Sequence, residues 1–399
     1  MIRRYIIILP WLLVLALPFM FRRQRDVGDW RDGDPVLVII SPHNEAIRYE
    51  FGWAFSEWHR EHYGKPVKVD WRSIGGTSEI MRYLGAEYTA AFRAWWKREG
   101  REWPGGGRDW LTDRKLPRRL AQAQASEDAT ETSPRLAAWE AFRAVDDPAR
   151  FTCKVDLFFG GGSYDHGKAY GEGLTVAPWP PGAAPPGTLR DYDGAIMIPE
   201  KAGGEIWRTK TFFGAALSTF GICYNVDRVR DLGLPHPPAR WADLEHPAYY
   251  AQVGVGDPTK SGSMAKAFEM IIHERMREVV HAAGFDEARI EHCERVLARE
   301  GRSADGAAPE GITAATLDRY ERAIAAGWLE GLRRVQRIGA NARYFTDGAG
   351  KVPIDVGMGN AAAGLAIDFY GRFQAEHSRG EDGRQRMRYV TPTGGSSVS

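Results

Sequence analysis

Residues 34–44, DPVLVIISPHN, decide the fold: a short β-branched apolar run that breaks into Ser41-Pro42-His43-Asn44. An apolar run of this length, bounded by turn residues, reads as a buried parallel strand. Asn44 is then placed as a helix N-cap ahead of Ile47, Phe51, Ala54, Phe55 and Trp58 at helical spacing, with Gly64 as the stop. A second strand, 67–71 (VKVDW), runs into Gly75-Gly76-Thr77-Ser78 and a helix carrying Ile80, Met81 and Leu84. The alternation predicts an α/β chain with a mostly parallel sheet. A third strand, 155–159 (VDLFF), ends in Gly160-Gly161-Gly162-Ser163.

The same alternation restarts in the second half. Residues 211–224 hold two extended runs, the second passing into another domain; 252–256 reads as a strand and 263–280 as a helix. Amphipathic helix is expected over 286–302 and 313–337, and strands over 352–357 and 364–370. Residues 85–150, rich in Trp, Arg and Ala, read as an insertion that is helical at its ends and loose in the middle, and 287–313 as a second one. The proline-rich stretch 178–186 (PWPPGAAPP) is expected to be a surface loop.

The chain has 399 residues, enough for two domains, and 53 Lys+Arg against 52 Asp+Glu. A formal charge of +1 supplies no uniform field for nucleic acid or an anionic membrane. Cys153, Cys223 and Cys293 lie far apart, which excludes a Cys-rich zinc module and a dense disulfide scaffold but allows one incidental bridge. Arg3 and Arg4 precede an uninterrupted apolar run, Tyr5 to Phe21, closed by Arg22, Arg23 and Arg25. With no small-x-small cleavage site after it, this run is expected to be an uncleaved signal anchor or transmembrane helix. The arginine count, two before the run and three after it, slightly opposes export of the chain beyond Arg25.

Polar or glycine clusters end the first three strands, and in an open parallel sheet such ends face one crevice. Glycines admit a ligand close to the backbone, and hydroxyls and amides at helix starts favour anionic oxygens. The candidate ligand-binding residues are therefore Ser41, His43 and Asn44, then Gly76, Thr77 and Ser78, then Gly162 and Ser163. In the second half, Asp257-Pro258-Thr259-Lys260-Ser261-Gly262-Ser263 follows a strand and opens a helix. It is not a nucleotide P-loop, because Thr259 stands where glycine must precede the Lys-Ser pair. Ser261 and Ser263 remain donors there, and Asp368 and Tyr370, after an apolar strand, could meet a cation or a polar ligand.

No metal signature appears: His59 and His62 stand on a charged helix face, and HExxH is absent. G-x-S-x-G is absent as well, so hydrolysis has no motif behind it. The charge of the assembled pocket discriminates ligands. Convergent carboxylates favour an amine, and convergent Ser, Thr and Arg favour an anion.

The succession GGTSEI (75–80), DLFFGGG (156–162), STFGICYN (218–225), VGVGDPTKSGS (253–263) and IDFY (367–370) resembles the periplasmic solute-binding proteins of bacterial ABC importers. It is most similar to the type II branch of ferric-ion, polyamine, thiamine and phosphonate receptors. The resemblance implies two α/β lobes that close on a ligand about a hinge, without chemistry or cofactor. It also implies a periplasmic protein held at the inner membrane by its signal anchor, with an ABC permease as partner and iron, a polyamine or a phosphonate-like solute as ligand. Lobe one would span 31–220 and lobe two 221–385, with 386–399 returning toward lobe one and Phe220 to Tyr224 as one crossing. Thr219, at that crossing, joins the expected site.

Ferric receptors carry two adjacent tyrosines where this chain has Phe369-Tyr370, which argues against ferric binding and leaves any metal ligands undefined. A sensory or scaffold module that uses the Trp-rich 85–150 insertion, or an enzyme in the same cleft, are the competing readings. Because the chain stops in GGSSVS soon after residue 386, lobe one is expected to expose apolar surface.

Overall fold

The Asn44 side chain accepts from the Ile47 amide at 3.1 Å, and Gly64, at φ 68°, closes the same helix through a bond to the Arg60 carbonyl. The predicted caps are thus the observed ones. A computed structural model of the chain describes residues 30–105, 110–124, 132–144, 150–178, 197–202, 205–300 and 311–393. The first half comprises β1 (Val36–Ile40), α1 (Glu45–Tyr63), β2 (Lys68–Arg72), α2 (Thr77–Arg98), α3 (Leu116–Gln124), α4 (Thr132–Arg143), β3 (Leu157–Phe158) and α5 (Ser163–Gly171). Its sheet has the order β2-β1-β3, all parallel, with Ile40 opposite both Arg72 and Phe158. A short hairpin, β4 (Lys201–Ala202) and β5 (Glu205–Ile206), follows.

The second half contains β6 (Phe220–Asn225), α6 (Val226–Asp231), β7 (Val253–Gly256), α7 (Gly262–Ala282), α8 (Glu287–Glu300), α9 (Ala314–Ala340), β8 (Ala342–Thr346), α10 (Lys351–Gly357), β9 (Ala363–Ile367), α11 (Asp368–His377) and β10 (Met387–Val390). These strands form one sheet, β10-β6-β9-β7-β8, in which β9, β7 and β8 are parallel and β6 runs against β9 and β10. The chain is therefore an α/β protein of two lobes, each built on its own sheet.

Several expectations are corrected. Residues 351–357 form a helix, not a strand; Pro353 lies in its first turn, where the missing N–H has no intrahelical partner anyway. The strand of that region is β8, just upstream. The expected crossing, Phe220 to Tyr224, lies within β6, every residue of which is buried in the second sheet. The stretch 387–390 does not return to lobe one: it pairs with β6, Val390 opposite Ile222.

The insertion does not begin at 85, since α2 runs through that point as one helix. Its first half packs Ile80, Met81 and Leu84 into the lobe core. Its second half sends Phe92 and Trp96 into a separate aromatic core with Trp110, Phe142 and Phe151. The expected anchor segment, 1–30, lies outside the described residues but for Trp30, the loop at 178–186 but for Pro178, and the closing GGSSVS entirely. Among the described residues, no helix is long and apolar enough to cross a membrane.

Lobe one does expose apolar surface. Helix α1 has no buried residue, and Tyr49, Phe51, Trp53 and Trp58 are all exposed on it. The three cysteines are free and buried, so no bridge forms.

Candidate functional site

The carboxyl ends of the parallel strands β1, β3, β7 and β9 point into a cleft between the lobes, a cavity of about 1330 Å³. Five helices begin at it: α1, α2 and α5 from lobe one, α7 and α11 from lobe two. Of the residues expected to bind ligand, His43, Asn44, Ser78, Gly162, Ser163, Ser263, Asp368 and Tyr370 line the cavity.

The remaining five do structural work beside it. Ser41 is fully buried and its Oγ accepts from the His43 amide at 3.2 Å. Ser261 is buried and its Oγ caps α7 by accepting from the Met264 amide. The Thr219 carbonyl accepts from the Asp368 amide at 2.9 Å.

Gly76 and Thr77 join the lobes. A Cβ on Gly76 would stand 2.3 Å from the Lys260 carbonyl oxygen, so only glycine lets the start of α2 press against the turn before α7. The Thr77 hydroxyl accepts from the Gly262 amide at 3.1 Å and donates to Asp165. Asp165 in turn accepts from the Gly162 amide at 3.2 Å. One buried carboxylate therefore sits where three helix N-termini meet, and burial pushes its carboxyl up from the ordinary aspartate range.

Replacing Thr77 by Val removes an acceptor from Gly262 and a donor from Asp165 while leaving the shape intact. An unmet buried polar group costs about 1–3 kcal/mol. Solute affinity, read by calorimetry, is expected to fall by about tenfold or more. An unchanged affinity would show that the bond contributes nothing to closure.

A second contact between the lobes is His43 Nδ1 to the Tyr370 hydroxyl, 3.3 Å. The imidazole lies against Gly160, where φ is +101° and a Cβ would meet His43 Nε2 at 2.6 Å. Burial pushes His43 down to about 4, and it lowers His166 as well, so both rings are neutral at pH 7.

Sequence reasoning missed several cavity residues. Phe159, at the end of β3, has ring centroids 4.9 Å from Phe51 and 5.3 Å from His43. Phe369 faces His43 at 6.2 Å, and Phe212 stacks on His166 at 5.9 Å. Lys266 also lines the cleft, with Glu269 3.6 Å away. Asp165 carried a usable signal, because it stands three residues after the helix-opening Gly162, at capping-box spacing. The aromatic wall carried none. Among the described residues, no group of three or more His, Cys, Asp or Glu is placed to hold a metal ion.

Residues 204–316 match the family described as bacterial extracellular solute-binding protein. The resemblance read from the sequence holds over that stretch. No curated protein sequence matches the chain. Among solved structures, the chain is similar to the periplasmic binding protein AfuA from Actinobacillus pleuropneumoniae with exogenous fructose-6-phosphate bound. Identity is 12% over 92% of this chain and 72% of that one, with a TM-score of 0.48. Iron-bound HitA from Pseudomonas aeruginosa is similar at 11% identity over 92% and 74%, TM-score 0.35. An ABC transporter from Clostridium perfringens is similar at 13% over 91% and 72%, TM-score 0.33.

Proposed function

We propose that the chain is the extracytoplasmic solute-binding receptor of an ABC importer, which captures a small polar or charged solute by lobe closure and presents it to a membrane permease. The observation that carries this reading is the cleft itself, bounded by both lobes and spanned by the Thr77–Gly262 and His43–Tyr370 contacts. Binding there proceeds without chemistry. The Thr77 hydroxyl beside Asp165 is buried and already engaged between the lobes. The scaffold reading loses its support, since the aromatic residues of the 85–150 region turn inward into their own core. In the receptor reading the protein works in the periplasm, and the apolar 5–21 run tethers it to the inner membrane.

Titration calorimetry of the purified chain against ferric citrate, spermidine, phosphonates and sugar phosphates, paired with small-angle scattering, tests the reading. Saturable binding with compaction of the particle is expected for at least one solute. No saturable binding to any of them, with the chain folded, would sink the receptor.

Closure is also expected to depend on pH. His43, neutral in the closed cleft and held to about 4 by burial, returns toward 6.5 when water reaches it. Above pH 6.5 both forms are neutral and nothing changes. As pH falls from 6.5 toward 4, the open form takes up a proton that the closed form refuses, so solute affinity should drop by up to about tenfold per pH unit. His43→Asn should flatten that slope; a slope that survives the substitution would place the titrating group elsewhere.

A further inference from the structure

We infer that the solute held in this cleft is an organic cation with an apolar or aromatic body, of the substituted-ammonium class, and not an oxyanion or a bare metal ion. The inference rests on the receptor reading and narrows it.

Charge balance is the first argument. Helix N-termini attract anions, but here the protein supplies its own: Glu45, Glu79, Asp165 and Asp368 stand in the first turns of α1, α2, α5 and α11. The remaining helix, α7, has no first-turn acid, and its Gly262 amide is already given to Thr77. Among the described residues that line the cavity, no arginine appears. Lys168 and Lys266 do line it, each within 4 Å of a carboxylate, Glu172 and Glu269. The two imidazoles add no positive charge at neutral pH, because burial depresses both. An incoming oxyanion therefore finds dipoles and ammonium groups that are already compensated. An incoming cation finds the Asp368 carboxylate at the cavity wall, while Asp165 is already engaged by Thr77 and the Gly162 amide.

The walls supply the second argument. Phe159, Phe369 and Phe212 bring aromatic rings to the cavity from lobe one, lobe two and the connecting segment. A cation within about 6 Å of such a face gains about 0.5–2 kcal/mol, more when water is excluded. Size is the third. At about 1330 Å³ the cavity exceeds what a single ion needs and is larger than the roughly 300–1,000 Å³ of ordinary organic-ligand pockets, so it has room for an organic body.

The test uses two probes that share a ring and differ in charge, benzyltrimethylammonium and phenylphosphonate, titrated into the full chain by calorimetry and tryptophan fluorescence. Benzyltrimethylammonium is expected to saturate at least tenfold more tightly. Phe159→Leu and Phe369→Leu should each weaken it by fivefold or more without moving the thermal melt. Two variants from different lobes guard against one misfolding. Equal or tighter binding of phenylphosphonate would overturn the cation assignment and leave the receptor reading standing. Binding of neither probe would also overturn the assignment, and the receptor would then be judged by the wider solute panel. Tighter ammonium binding that ignores both substitutions would overturn the aromatic part of the recognition.

Discussion

Gly76→Leu should abolish solute capture while leaving both lobes folded. The backbone at Gly76 is extended, φ −72° and ψ 172°, so a leucine is accommodated within lobe one. The obstruction lies across the cleft. A Cβ there stands 2.3 Å from the Lys260 oxygen and 3.2 Å from the Ser261 Cα, both backbone atoms that no rotamer change can move. Keeping the lobes apart by one side chain breaks the Thr77–Gly262 and His43–Tyr370 contacts together. Affinity should fall by about a hundredfold or more, since each 1.4 kcal/mol of lost closure is tenfold. Circular dichroism and the thermal melt should match the parent chain. Retained affinity would show that the solute is held without closure, and that the two contacts between the lobes play no part in capture.

Arg334→Leu should destabilise lobe two by about 3–5 kcal/mol, the usual cost of removing one member of a buried charge group. Arg334 lies on α9 with its side chain 8% exposed. It bonds Glu245 through Nε at 2.9 Å, Glu274 through Nη1 at 3.4 Å and Glu278 through Nη2 at 3.2 Å. Burial pushes the Glu274 carboxyl up to about 7, against the pull of Arg334. A carboxyl raised in the folded state holds a proton that the unfolded chain releases, so its contribution is present at low pH and is lost as pH rises from about 4.5 to 7. Without the guanidinium that window moves upward. The deficit of the variant, read by denaturant melts, should therefore be larger at pH 8 than at pH 5. Equal deficits at the two pH values would mean that Glu274 keeps its charge without Arg334.

Local features were the legible ones. The caps of α1, the glycine turns before α2 and α5 and the opening of α7 all depend on residues within one turn of each other, and the sequence displays each of them. Residues 351–357 mislead because a short apolar run has no period to separate a buried helix from a strand. β8 escapes because ARYFT alternates as an edge strand and follows directly on the long amphipathic α9, with no glycine or proline between them. The cleft is legible as a set of polar strand ends and no further. Thr77 meets Gly262 across 185 positions and His43 meets Tyr370 across 327, and no pattern along the chain encodes such pairings. The aromatic wall is hidden for a related reason: Phe159 and Phe369 look like ordinary core residues until two lobes are set face to face.

Helix α1 carries a last consequence. It covers one face of a three-stranded sheet, yet none of its residues is buried, whereas the five-stranded sheet opposite rests on a core that includes Trp241, Tyr249 and Met264 at full burial. Segments with so little buried surface open at low free energy, so amide protons of α1 and β3 should exchange with solvent well before those of β6, β7 and β9. The cleft then has one compliant wall and one stiff wall. Phe159 stands on the compliant side, where the pocket can reshape around bodies of different size while the stiff side keeps the polar geometry constant.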